Sequence, residues 1–215
     1  DTLPALEELV AQLSNTTSFV LHLAIGRRAP GTVELAGIAL SPTPGKAYYL
    51  PVGHRAWEQQ RQLPLPQAVD QLQPLLMNAH IGKTVHDGKE IMTTLMDYGV
   101  DLGNSDFDTM IAAYLLGEKF LGLKALAFSK LGLEMLALAE AVDAKRASVA
   151  EASISLVARH ICSEADVIGR LRPLLQANLE EKGLWRLFAE VEMPLVPVLA
   201  RMERNGVALD TDLLR

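Results

Sequence analysis

Residues Ser18 to Ile25 read SFVLHLAI, an almost unbroken apolar run of strand length. Such a run fits a strand covered on both faces rather than one with a solvated side. Toward the C terminus, Gly26 and the cluster Ala29, Pro30, Gly31 supply a turn, and VELAGIALS (Val33 to Ser41) reads as a second strand. Pro42 to Gly45 makes another turn before KAYYLPVG (Lys46 to Gly53), a third strand rich in Tyr and Val. Three strands joined by short turns predict an antiparallel meander. Toward the N terminus, Leu3, Leu6, Leu9, Val10 and Leu13 recur at helical spacing and stop near Ser14 and Asn15.

Past the meander, helical spacing returns from Leu65 to Met77, Ile81 to Val85 reads as a fourth strand, and a helix runs from Asp87 to Tyr98 until Gly99 stops it. The stretch VDLGNSDF reads as a loop leading into a helix that Asp108 caps. Everything later reads as helical: short segments at 122–131 and 134–142, a long one at 148–179 that Pro173 is expected to kink or divide, and a last one from Leu184 to Arg204 that holds Pro194 and Pro197 and ends at Asn205 and Gly206. The order helix, three strands, helix, strand, helices predicts an α/β fold whose mixed sheet combines the meander with an extension through a helical crossover, flanked by helices. No GxGxxG or GxxxxGK[ST] follows a strand, which argues against a classical nucleotide site.

The chain has 215 residues, is 49% hydrophobic and 21% charged, and carries a formal net charge of -6. That composition belongs to a folded globular protein and excludes disorder. The acidic balance argues against a chain that grips nucleic acid unaided, because phosphate binding rests on Lys and Arg. Cys162, the single cysteine, has no thiol to pair with and forms no zinc ribbon. No apolar run reaches the ~18–20 residues of a membrane span, and DTLPALEELV lacks the layout of a signal peptide. A cytoplasmic protein with no membrane partner is therefore expected. The start at Asp1 and the end at Arg215 suggest a piece of a longer polypeptide.

The segment EVEMPLVPVLARMERNGV, Glu190 to Val207, followed by Asp210, resembles the opening of the polymerase domain in bacterial DNA polymerase I, the family A enzymes. Upstream, the strand FVLHLAI, AYYLPVGH (Ala47 to His54), KTVHDGKEIMTTLMDYGVDL (Lys83 to Leu102), FDTMIAAYLL (Phe107 to Leu116) and ARHICSEADV (Ala158 to Val167) resemble the proofreading domain that precedes the polymerase in that family. The resemblance covers essentially the whole chain. It implies a ribonuclease H-like fold, with residues 1–182 as a 3′–5′ exonuclease-like domain and 183–215 as the first part of a polymerase domain. It further implies that the polymerase domain of the same chain is the partner, that DNA is met through that parent enzyme and weakly or not at all by the fragment, and that Mg²⁺ serves the parent polymerase while the fragment needs no cofactor.

Proofreading in this family hydrolyses a 3′-terminal phosphodiester with two divalent metals about 3.5–4 Å apart, held by carboxylates because Mg²⁺ prefers hard oxygen ligands. The first family motif places two acids two residues apart, on one face of a strand. The resemblance maps them onto His22 and Ala24. The second motif's helical acid maps onto Ile91, with Asp87 one turn earlier and Glu90 about 100° round the helix. The third, a Tyr followed four residues later by an Asp, maps onto His160 and Glu164. Glu164 alone keeps a carboxylate, on a longer side chain. The site is thus expected to be catalytically dead, because losing one group of a catalytic unit already costs several kcal/mol of transition-state stabilisation.

Other meanings of the same residues stand beside this one. His22 reads as a core histidine held by a hydrogen bond; alternatively, His22, His160 and Glu164 converge in the family fold as a set suited to Zn²⁺, although His160 and Glu164 also read as an ordinary i, i+4 pair. Asp87, Glu164 and Asp166 would be the acids of a residual nuclease with altered metal geometry. A third possibility is a protein-docking module, marked by an exposed apolar patch on the old active-site face. Asp108 reads as a helix cap, and Met92, Met96 and Met110 as core fillers. Arg27 with Arg28 and Lys145 with Arg146 read as solvated pairs in preference to DNA contacts.

Overall fold

The computed structural model of the chain describes residues 2–29, 32–55, 61–135 and 148–208. Helix α1 (Leu3–Ser14) precedes strands β1 (Ser18–Ala29), β2 (Thr32–Thr43) and β3 (Lys46–Pro51). Helix α2 (Leu65–Met77), strand β4 (Gly82–Val85), helix α3 (Gly88–Met96) and strand β5 (Ser105–Asp108) follow. Helices α4 (Thr109–Leu115) and α5 (Leu123–Leu131), a 3-10 turn at Val149–Glu151 and the long α6 (Ile154–Glu181) come next. A short helical turn at Trp185–Leu187 continues through a π-helical stretch at Phe188–Glu192 into α7 (Met193–Asn205). The strand order is β3-β2-β1-β4-β5. β1, β2 and β3 pair antiparallel, and β4 and β5 extend the sheet in parallel. This is the expected mixed sheet flanked by helices.

The two-residue period of β1 divides the core. Phe19, Leu21 and Leu23 join Leu6, Leu9 and Leu13 of α1 and Leu72, Leu75 and Leu76 of α2 on one face. Val20 and Ala24 join Phe107 and the buried stripe of α6, including Ile161, Ala165 and Ile168, on the other. Both faces are covered, which is why the strand shows no polar alternation. The exception within the run is His22, which the period places on the α6 side.

Three expectations need correction. Residues Ser105–Asp108 form β5 rather than a loop; Phe107 is fully buried and packs at a tilt against Phe188 with ring centroids 4.9 Å apart, so tertiary packing overrides the turn-like composition before it. Pro173 does not divide α6, which runs unbroken through it, because Ile168, Leu171, Leu175 and Leu179 bury its flank on both sides of the proline. The last helix is not uniform: the π-helical stretch precedes Pro194, which cannot donate to the helical ladder. Residues 134 and 135 are not helical, and the rest of the expected 134–142 segment lies outside the described residues, as do Lys145, Arg146 and the side chains of Arg27 and Arg28.

α7 lies against α3, with Val196 and Ala200 packed on Met92 and Met96. Ion pairs flank that contact, Lys89 with Glu203 at 2.6 Å and Arg204 with Asp97 at 3.9 Å. No described helix is long and apolar enough to cross a membrane.

Candidate active site

β1 carries His22 to the face that α6 crosses, and α6 carries His160 and Glu164 four residues apart. The three side chains meet. His22 Nε2 lies 3.0 Å from Glu164 Oε2, and His160 Nε2 lies 3.1 Å from Glu164 Oε1. An ionised carboxylate only accepts, so both imidazoles donate their Nε2–H, one to each oxygen. His22 Nδ1 is buried and has no protein hydrogen-bond partner. His160 and Glu164 are an i, i+4 pair as expected, but the pair is largely buried and shared with a third residue, not a surface pair.

Burial alone would raise the Glu164 pKa; the hydrogen bonds from His160 and His22, together with their charge, outweigh it and hold the carboxyl down at about 2. The two flanking donors therefore keep the group ionised in an enclosed place.

Beside this bridge lies a pocket of about 230 Å³, walled by Leu23, Ile25, Ile91, Leu123 and Ile161, with His22, His86, Glu90 and Glu164 as its polar lining. His86 was missed in the sequence, although a signal existed. Val20 pairs in parallel with Thr84, so two residues further along each strand both chains reach a histidine at the same level. Thr109 Oγ1 donates to the Val85 carbonyl at 3.2 Å and lies 2.9 Å from His86 Nδ1. Nδ1 is then the donor, and Nε2 of the neutral ring keeps its lone pair. Burial, with the neighbouring His22, lowers the His86 pKa to about 4 against a smaller opposing pull from Glu164, so the ring is neutral at pH 7. Glu90 also reaches the pocket, which is wide enough for consecutive residues of the first turn of α3 to border it.

The other two mapped positions are apolar and buried. Ile91 sits in the pocket wall at 2% exposure, and Ala24 is fully buried. Ala24 pairs across the sheet with Gly37, and the Tyr49 ring lies so close over Gly37 that a Cβ there would overlap it. Tyr49 is 2.7 Å from His54 Nε2, while His54 Nδ1 donates to the Ala152 carbonyl at 3.2 Å. Nε2 is therefore the acceptor and the phenol the donor. Burial pushes the Tyr49 pKa up and the His54 pKa down, so both members of the pair are neutral. An aromatic lock of neutral groups thus stands beside Ala24.

The residual acid set is not assembled. Asp87 caps α3 from a left-handed conformation and accepts from Glu90 N at 3.3 Å. Asp166 accepts from Gly45 N at 2.5 Å and pairs with Arg170 at 2.7 Å. Neither borders the pocket that holds Glu164, so Asp87, Glu164 and Asp166 share no site. Asp108 is a cap with two clients. Its Oδ1 accepts from Met110 N at 2.8 Å in α4, and its Oδ2 accepts from Gly88 N at 2.6 Å, the first residue of α3. Burial lifts its pKa to about 6 despite these donors.

Among the described residues no group of three or more His, Cys, Asp or Glu is arranged to hold a metal ion. His22, His160 and Glu164 do converge, with the two histidine nitrogens directed at different oxygens of Glu164. The donor set does not suit Mg²⁺, since each oxygen of Glu164 already accepts an imidazole N–H and two of the mapped acid positions are hydrocarbon. Among the described residues, the apolar pocket walls are largely buried, and none of the exposed large apolar residues borders the pocket.

A family profile described as "DNA polymerase I, ribonuclease H-like domain" matches residues 45–171. DNA polymerase I of Chloroflexus aurantiacus is 34% identical over 216 residues, covering 98% of this chain and 22% of that protein. DNA polymerase I of Pseudomonas aeruginosa is 30% identical over 217 residues, covering 96% and 22%. The chain thus spans about a fifth of the length of these curated relatives. Among solved structures, the POL domain of Pol1 from M. smegmatis, in complex with DNA primer-template and dNTP, superposes with a TM-score of 0.74 at 21% identity, over 97% of this chain and 32% of that one. Escherichia coli RNase D, an exoribonuclease involved in structured RNA processing, superposes at 0.72 and 16% identity, over 94% and 49%.

Proposed function

Because the chain belongs to the ribonuclease H-like 3′–5′ exonuclease domains of DNA polymerase I, we propose that it is such a domain with its hydrolytic chemistry lost, retained as a structural module of the polymerase. One observation carries the proposal: both oxygens of Glu164 are engaged by His22 and His160, at 3.0 and 3.1 Å. Phosphodiester hydrolysis in this family needs carboxylates that bind divalent metals and activate water. Here a hard cation would have to compete with two N–H donors for the carboxylate and would find a methyl group at Ala24 and a butyl group at Ile91. Each tenfold of rate is about 1.4 kcal/mol of barrier, and losses within a catalytic unit of this kind are not repaired by neighbours.

On this proposal residues 1–182 are the exonuclease-like body and 183–215 the first residues of a polymerase domain, which is the body's partner in the same polypeptide. DNA and Mg²⁺ are then handled by the polymerase part, and the net charge of -6 makes the isolated chain a poor ligand for DNA. The test is incubation of the purified chain with 3′-labelled single-stranded DNA and Mg²⁺ or Mn²⁺. No metal-dependent shortening is expected; shortening that Glu164→Ala abolishes would overturn the proposal.

A further inference from the structure

Among the described residues, the polar side chains that line the pocket beside Glu164 are His22, His86, Glu90 and Glu164 itself, and the imidazole N–H groups of this set are already committed. His22 gives its Nε2–H to Glu164 at 3.0 Å, and His86 gives its Nδ1–H to Thr109 at 2.9 Å. What the lining still presents is acceptors. Nε2 of His86 keeps its lone pair, and Nδ1 of His22 is buried with no protein partner, a condition that a native fold ordinarily relieves with a donor. A carboxylate has about four acceptor positions, and the two histidines fill only one on each oxygen of Glu164. Glu90 brings a second carboxylate, and Leu23, Ile91 and Ile161 supply hydrocarbon wall.

We propose that this pocket is a binding site for a small primary aliphatic amine in its ammonium form. Charge selects the class of ligand. A phosphate would meet two carboxylates and no uncommitted imidazole N–H, whereas an ammonium carries three N–H donors and no acceptor, the complement of the lining. It is charged at pH 7, as a lysine side chain is with its ordinary pKa of about 10.4. Taking such a charge out of water is costly unless it is paired and hydrogen-bonded, and the two carboxylates with the His86 lone pair provide both. Size narrows the class further. At about 230 Å³ the pocket lies below the ~300–1,000 Å³ of a site for drug-sized ligands, so a nucleoside monophosphate is excluded by volume as well as by charge. At ~30 Å³ per water-sized group, an ammonium on about four to six carbons fills it, with the alkyl chain against Ile91 and Ile161. A bare divalent ion is a poorer occupant, since no group of three or more His, Cys, Asp or Glu among the described residues is placed to ligate one. The site concerns a ligand that the structural-module reading does not invoke, and it stands apart from whether hydrolysis is lost.

The experiment titrates the 215-residue chain, carrying ¹³C-labelled Ile and Leu methyl groups, with n-butylammonium chloride at pH 7 and constant ionic strength, and follows the methyl resonances by NMR. Saturable shifts at Ile91, Leu123 and Ile161, half-complete at about millimolar concentration, are expected for a ligand of so few atoms. n-Butanol, which has the chain without the charge, should bind at least about tenfold more weakly, and inorganic phosphate should leave these signals unmoved. Glu90→Gln and His86→Phe should each weaken butylammonium about tenfold; the first changes a partly exposed side chain, which keeps the comparison open if the second disturbs the packing around Thr109. No saturable shift up to about 0.1 M, equal affinity for butanol, saturable shifts of the same methyls with phosphate, or undiminished butylammonium affinity in the folded variants would overturn the proposal. None of these readouts depends on nuclease activity, so DNA shortening by the chain would defeat the functional proposal and leave this one to be judged by its own data.

Discussion

Replacing Glu164 with Gln tests whether the histidine–carboxylate bridge is a structural element rather than an accident of packing. The carboxyl titrates at 4.5 when free and at about 2 in the fold; at 1.36 kcal/mol per pH unit the difference corresponds to about 3 kcal/mol. A carboxamide offers one acceptor oxygen and turns its NH2 toward the second imidazole N–H, so one charge-assisted bond is weakened and the other becomes a donor–donor conflict. The unfolding midpoint at pH 7 should drop by roughly 6–12 °C, at 2–4 °C per kcal/mol for a chain of this size. The sign with pH follows from linkage. A depressed carboxyl pKa stabilises the fold above pH 4.5, and that stabilisation is lost as pH falls toward 2, so the gap between wild type and variant should shrink across that window. Urea denaturation followed by circular dichroism at pH 7, 4 and 3 measures it. Equal stability at pH 7, or a gap that stays constant down to pH 3, would refute the bridge as a stabilising element.

Asp108 should behave in the opposite sense: its pKa is lifted from 3.8 to about 6, so the native state binds its proton more readily and wild-type stability should rise as pH falls from about 6 to 4, by up to about 3 kcal/mol. Asp108→Ala removes that rise and leaves the Gly88 and Met110 amides without their acceptor, an expected net loss of about 2 kcal/mol at pH 7, read by denaturant titration. Gly37→Ala should evict the Tyr49 ring and break its bond to His54, costing about 1–3 kcal/mol, with a changed tyrosine near-ultraviolet signal as the check that the ring has moved.

The fold was legible because it is written in periodicity: SFVLHLAI needs two covered faces, and the meander with its helical crossover leaves few ways to cover them. β5 was not, since the burial of Phe107 depends on Phe188, eighty-one residues further along, and no local pattern announces a contact of that range. The same division holds within the site. Positions 22, 24, 91, 160 and 164 could be named by resemblance, and the absence of an acid at three of the four positions where the family has one is a fact of sequence. What replaced those acids is a fact of geometry. That His22 and His160 share one carboxylate required knowing that β1 and α6 cross, since i, i+4 spacing alone is equally compatible with an exposed pair. His86 lay between those cases, because its level opposite His22 follows from the parallel register of β1 and β4 once that pairing is known. The substitutions in the pocket are mutually consistent in charge: an isolated Glu164 at this burial would favour its neutral form, and His22 and His160 supply the donors that keep it ionised. The carboxylate thus has two partners, one on β1 and one on α6, and links the two elements.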